Sequence, residues 1–236
     1  VQPDNEERMT EAAHPGGTLD HFRVEDFARD DDSPDAAFYR SPRFVNHLDS
    51  LALSTVEDVF VRLIPKRSNI LDLMAGPESH LRPELEPASV TGLGMNQEEL
   101  DANPSLSLTI VHDVNADPSL PFEDDTFDVV VNTVSVDYLI RPVEVFRDVG
   151  RVLTPEGRFI VVFSNRMFPP KAVHIWRRSN ESQRVDLVKR YLSLAGNLWM
   201  EGNFESKNKP RPKDDKYYSF GIPSDPIYAI WAKARK

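Results

Sequence analysis

Apolar residues follow two rhythms along this chain. Short unbroken runs occur at Ser68 to Leu73, Val90 to Leu93, Leu108 to His112, Phe127 to Asn132 and Arg158 to Phe163. Their length and β-branched content suit strands buried on both faces of a parallel sheet. Between them the apolar positions recur every three to four residues. Phe38-Tyr39 and Phe44-Val45 lead into Leu48, Leu51, Leu53, Val56, Val59, Phe60 and Leu63, a helical stripe that ends at Pro65. Pro142 opens a second stripe through Val145, Phe146, Val149 and Val152, and the turn Thr154 to Gly157 follows it. Ser182 to Ala195 reads as a third helix, closed by Gly196 at a favoured C-terminal capping position. Leu198 to Phe204 and Ile227 to Ala234 are the last strands. Strands alternating with helices predict an α/β fold with a doubly wound, mostly parallel sheet and an antiparallel C-terminal hairpin.

Two stretches break the rhythm. Ser79 to Pro87 contains Pro83 and Pro87, so the first crossover helix is expected to be short or irregular; the next begins at Gln97 with Asn96 as its N-cap. Residues 1–36 are polar and acidic, with Asp30-Asp31-Asp32 ahead of Ser33-Pro34, and predict an extended arm before one domain over 37–236.

Composition narrows the function classes. The chain has 236 residues, no cysteine and a net charge of −10. Thiolate metal sites and cysteine nucleophiles are excluded, and a phosphate backbone would be repelled, so general nucleic-acid binding is not expected. No apolar run reaches the roughly 18 residues of a membrane-spanning helix, which predicts a soluble or peripheral intracellular protein. The chain begins at Val1 rather than Met, which suggests a processed or trimmed chain.

The chemistry concentrates where strands end. Asp72 closes the first strand and runs into Met74-Ala75-Gly76-Pro77-Glu78; Asp113 follows the third; Asn132, Thr133, Ser135, Asp137 and Tyr138 follow the fourth; Ser164-Asn165-Arg166 follows the fifth. Ligands of open α/β sheets gather at this edge. His80, His112 and His174 have no metal-ligand spacing and read as structural, so no metal site is expected.

Three passages resemble the class I S-adenosylmethionine-dependent methyltransferases with a type 11 methyltransferase domain. They are Leu71-Asp72-Leu73; Asp113 with Leu120-Pro121-Phe122 and Thr126 to Val130; and Pro142 through Arg151 to Phe159. The resemblance spans Phe38 to Lys236 and implies a Rossmann-like methyltransferase sheet with S-adenosylmethionine as cofactor. Gly92 to Asn96, Phe163 to Phe168 with Lys171 to Val173, and Ser224 to Tyr228 look most like a group from cyanobacteria and plants, which implies a plastid setting.

Carried over residue by residue, the resemblance implies a cofactor set of Asp72, Gly76, Gly94, Asn96, Asp113, Val114 and Asn132. Asp72 would bind the ammonium, or accept N–H bonds within its own loop. Asp113, with the Val114 backbone beside it, would accept from the adenine amine, or cap a turn. Two departures stand out. Met74 and Glu78 replace two of the family's three loop glycines, and the ribose-binding acid falls on Gly94, with Asn96 or Glu98 as substitutes from the next turn. Restoring an acid at Gly94 would then tighten cofactor binding.

For the acceptor side, Asp137 or Tyr138 would orient the substrate or take its proton; alternatively Asp137 caps the Pro142 region and Tyr138 packs under a lid. Asn165 and Arg166 would bind a substrate carboxylate or phosphate, or Arg166 pairs with a surface acid. Two functions remain open: methyl transfer to a small-molecule acceptor, or a catalytically silent scaffold that docks a protein partner through the N-terminal arm and the lysine- and proline-rich loop 207–226.

Overall fold

The computed structural model describes residues 16–236; the expectations placed on residues 1–15 lie outside the described residues. Seven strands, β1 (Asn69–Leu73), β2 (Ser89–Gly94), β3 (Leu108–Val111), β4 (Phe127–Thr133), β5 (Leu153–Phe163), β6 (Leu198–Ser206) and β7 (Ile227–Ala234), form one sheet in the order β3-β2-β1-β4-β5-β7-β6. Strands β1 to β5 pair in parallel, and β7 runs antiparallel to both of its neighbours. The strand order reverses between β1 and β4, which opens a crevice at their carboxyl ends.

Side-chain alternation explains why both faces are covered. Ile70, Val129, Val131, Ile160 and Val162 pack in one cluster with Ala52, Val56, Val59 and Phe60 of α2 (Ser50–Leu63). Leu71, Leu73, Val130, Phe159 and Val161 pack in the other with α4 (Pro142–Val152) and α6 (Glu181–Ala195). Three further helices are short: α1 (Asp35–Phe38), α3 (Gln97–Ala102) and α5 (His174–Arg178). The ends follow local chemistry. Asp49 accepts from the Leu51 and Ala52 amides at the start of α2, Asn180 and Gln183 make a capping box on α6, and Gly196 takes φ 84° behind it.

Two expectations change and one holds. The stripe predicted from Phe38 becomes regular helix only at Ser50, because Asp49 is spent as N-cap; Phe44 and Val45 stay exposed. Between β1 and β2 there is no α-helix, only a 3-10 turn at Pro83–Leu85, as the prolines require. Residues 16–36 are not an extended arm. They form 3-10 turns at Thr18–Asp20 and Val24–Asp26, and Phe27 enters the core beside Tyr191. Asp26 pairs with Arg178, and the Asp31 amide donates to the Pro170 carbonyl. The acidic character of the segment hid its aromatic anchors, Phe22 and Phe27.

Candidate cofactor and acceptor cleft

A cleft of about 600 Å³ lies at the carboxyl edge of β1, β2 and β4, within the size range of small-molecule sites. Its floor begins with Asp72. Because Asp72 alternates with Leu71 and Leu73 it points toward the α2 side of the sheet, where no cation among the described residues meets it. Burial raises its carboxyl to about 6, against the Ser79 hydroxyl, which favours the ionised form.

The loop after β1 and the end of β2 have been rebuilt together. Met74 adopts φ 63°, which turns the chain so that the Ala75 amide donates to the Leu93 carbonyl at 2.8 Å. The Ala75 carbonyl oxygen then lies only 2.4 Å from where a Cβ on Gly94 would sit. Gly94 is therefore a packing glycine, and the expectation that an acid there would tighten binding is overturned: its side chain would collide with backbone. Asn103 holds the rest of the loop, donating to the Gly76 carbonyl and the Ser79 hydroxyl, both at 2.9 Å.

An acid does face this end of the cleft, and it is neither of the substitutes anticipated. Asn96 is occupied: its Oδ1 caps α3 by accepting from the Glu99 amide, while its Nδ2 donates to the Tyr39 and Arg40 carbonyls. Glu98 points to solvent. Glu99, one residue on, lines the cleft with Oε2 3.8 Å from the Cβ position of Gly76, and its Oε1 accepts from the Arg43 amide. Burial raises its carboxyl above the usual range. The helical period of α3 points Glu99 inward where Glu98 points out, a signal that was readable from the 97–102 pattern.

Asp113 and Val114 lie farther along the wall. Asp113 Oδ1 accepts from the Asn115 and Ala116 amides and so braces the turn it ends. Asn132 does not reach the cleft. It is fully buried, donating to the Leu73 carbonyl and the Ser135 hydroxyl, and so sets the spacing of β1 and β4 from below.

On the acceptor side Tyr138 lines the cleft, but its hydroxyl accepts from the Phe168 amide at 2.7 Å and burial raises its pKa well above 10, so it stays a neutral phenol. Asp137 faces away from the cleft into the protein, where burial raises it to about 7 and its Oδ2 has no partner. The expected proton-acceptor role thus lacks access at Asp137. Asn165 is exposed outside the cleft. Arg166 does line it, yet its Nε donates to Asp225 at 2.9 Å and its guanidinium covers Tyr217, so an ion pair already holds it.

Two groups that sequence reasoning passed over occupy the same mouth. Arg43 lays its guanidinium over Phe38, Tyr39 and Phe168, with one terminal nitrogen buried and unpartnered. His47 stands edge-on to Phe168, and partial burial followed by Arg43 and His80 lowers its pKa. No periodicity marks either residue, since both lie in the irregular lead-in to α2.

Three of the eight non-glycine residues with positive φ among the described residues stand here. Met74, His80 and Val134 all line the cleft with φ of 63°, 55° and 52°. For a β-branched residue such as Val134 this conformation is an outlier, and each instance costs on the order of 1–3 kcal/mol.

Comparison with known proteins agrees with the geometry. Residues 72–161 match the type 11 family described as Methyltransferase domain. A Listeria monocytogenes protein described as an S-adenosylmethionine-dependent methyltransferase superposes with a TM-score of 0.55 at 14% identity, covering 80% of this chain and all of that one. An Aquifex aeolicus S-adenosylmethionine-dependent methyltransferase gives 0.52 at 14% identity, covering 85% and 97%. A chain from the complex between the Haloferax volcanii Trm112 methyltransferase activator and a methyltransferase gives 0.53 at 17%, covering 79% and 91%. No curated protein matches in sequence. The chain therefore combines the seven-stranded fold of class I S-adenosylmethionine-dependent methyltransferases with sequence, over residues 72–161, similar to the methyltransferase domain family.

Proposed function

We propose that this protein transfers a methyl group from S-adenosylmethionine to a small planar acceptor. The observation that carries the reading is the strained wall of the cleft. Three non-glycine residues held in left-handed backbone around a cavity of about 600 Å³ indicate a site under structural demand. A pocket decaying for want of use would relax such positions.

The residues fit the cofactor at three points. Asp72, buried without a cation, suits an ammonium; Asp113 keeps an oxygen beyond its turn-bracing Oδ1 for the adenine amine; Glu99 supplies the ribose acid that the Ala75 backbone excludes from Gly94. The bound cofactor would supply an electrophilic methyl group on sulfonium sulfur. Tyr39, Tyr138 and Phe168 give the acceptor flat apolar walls, and the positive charge of the Arg43 guanidinium on the cleft wall suits an anionic oxygen on it. His47, kept neutral by its lowered pKa, is placed to take a proton from an acceptor hydroxyl. Alignment and exclusion of water account for the rest. The likeness to cyanobacterial and plant chains leads us to carry a plastid setting forward as part of this reading.

The rival reading, a silent scaffold, draws on the closed ribose corner at Gly94. Isothermal titration with S-adenosylmethionine and with its demethylated product separates the two. Saturable heat is the expected result; none at millimolar ligand would leave the scaffold.

A further inference from the structure

The loop between β6 and β7 behaves unlike the other exposed parts of the molecule. Residues 207–222 carry five basic and two acidic side chains in a protein of net charge −10. Lys209, Lys213 and Lys216 are exposed, while the acid Asp215 is consumed by Arg211. At the tip, Tyr218, Phe220 and Ile222 are 46%, 73% and 44% exposed within five residues.

This tip is ordered. The Ser224 amide donates to the Lys209 carbonyl at 2.9 Å and closes the base of the loop. The buried Arg211 donates to the Pro223 carbonyl, to Asp215 and to Asp225. A 3-10 turn at Tyr218–Phe220 ends on Gly221 in the left-handed conformation, φ 67°. A chain that fixes three large apolar side chains outward, among unpaired lysines, presents a surface built for contact.

The same anchor reaches the cleft. Asp225 accepts from Arg166, which lines the cleft and covers Tyr217; the Ser224 hydroxyl and the Asp225 amide donate to Asp49, next to the mouth residues 43–48. In that segment Phe44 and Val45 line the cleft and are both exposed.

We propose that the 207–222 loop is an interfacial anchor for an anionic lipid surface, with Phe220 and its apolar neighbours entering the headgroup layer and Lys209, Lys213 and Lys216 drawn to lipid phosphate. Aromatic side chains and lysines are the pair that membrane interfaces favour. The cleft mouth would then open beside the bilayer. A two-fold pairing of this loop with its own copy fits poorly, because it would set the lysines of two loops against each other. The inference needs no cofactor and stands apart from the methyl-transfer reading.

Vesicle co-sedimentation of the full chain tests it, with phosphatidylcholine alone or phosphatidylcholine containing phosphatidylglycerol, in the absence of cofactor. Binding is expected to the anionic vesicles and to fall with salt. Substituting Lys209, Lys213 and Lys216 by Gln is expected to weaken it about fivefold per lysine, and Phe220→Ala with Ile222→Ser roughly tenfold. All of these side chains are exposed, so melting temperatures should hold. Absence of sedimentation with either vesicle overturns the proposal. So does binding that ignores both sets of substitutions, or a dimer in sedimentation equilibrium that Phe220→Ala dissolves while vesicles remain unbound.

Discussion

Asp35 and Asp72 are both buried carboxylates on the wall of one cleft, and their surroundings are opposite. Asp35 receives Arg29 through both oxygens at 2.7 and 2.9 Å, Lys171 at 3.2 Å and the Asn115 amide at 2.8 Å. Lys171 is itself fully buried, donating also to the Asp31 and Ser33 carbonyls. Asp72 has a serine hydroxyl nearby and, among the described residues, no counter-charge. The first carboxylate is spent on tying the N-terminal segment to the chain beyond β5. The second is left under-compensated, the state in which a buried acid binds an incoming cation at least cost.

Breaking the satisfied side should show the largest effect. Lys171→Met removes the central cation and leaves the buried Asp35 carboxylate and the Asp31 and Ser33 carbonyls short of a donor. The expected loss is about 3–5 kcal/mol of unfolding free energy, seen as a lower denaturant midpoint. An unchanged midpoint would mean that Arg29 alone suffices and that the comparison is misdrawn.

Neutralising the lone acid should do the reverse. The folded pKa of Asp72, about 6, lies above the ordinary aspartate value of 3.8. The folded state therefore holds its proton over the interval between them, and stability falls as pH rises through that window, then levels off. Asp72→Asn escapes the loss and is expected to be the more stable protein above pH 6, by on the order of 2 kcal/mol, with the advantage gone near pH 4. Asp137, raised to about 7 in a pocket without access to the cleft, should respond with the same sign up to pH 7. Only Asp72→Asn should also weaken S-adenosylmethionine, roughly tenfold or more, and wild-type affinity should itself decline as pH drops below 6. Thermal melts and titrations across pH measure both. Equal losses of cofactor affinity in the two variants would place Asp137 in the site after all.

The sheet was legible because a strand covered on both faces must be apolar throughout, and Ile70 to Leu73, Phe127 to Thr133 and Ile227 to Ala234 announce themselves in that way. So were the caps at Asn96 and Gly196, which follow from local backbone needs. The site was legible where it sits on or just beyond strand ends: Asp72, Gly76, Gly94, Asp113, Val114, Tyr138 and Arg166 line the cleft, whereas Asn132 and Asp137 belong to the same run of β4 and its following turn but face elsewhere. Residues in irregular backbone gave no periodic signal. Arg43 and His47 reach the mouth through a segment whose direction is set by tertiary contacts, and residues 16–36 are held by paired ions, the buried Phe27 and the half-buried Phe22 within an acidic stretch that composition alone reads as loose. The Gly94 misreading has a different origin. One glycine serves two states, absence of an acid and tolerance of a neighbouring carbonyl, and only the 2.4 Å approach of Ala75 separates them.

The finest distinction concerns the ribose corner. If the acid has moved from the end of β2 to the first turn of α3, then Glu99 inherits its task while Gly94 stays small to admit the Ala75 carbonyl. Glu99→Gln keeps the shape and the acceptor for the Arg43 amide but loses the charge, and the Asn96 cap of α3 does not depend on its side chain. The variant should melt like the parent and bind S-adenosylmethionine about five- to tenfold more weakly, the loss of one charge-assisted hydrogen-bonding acceptor. Methionine, which lacks the ribose, should show no such discrimination as a competitor. If Glu99→Gln leaves cofactor affinity intact while Asp72→Asn reduces it, the carboxylate serves only to hold Arg43 over the aromatic wall, and the ribose corner of this cleft is recognised by shape alone.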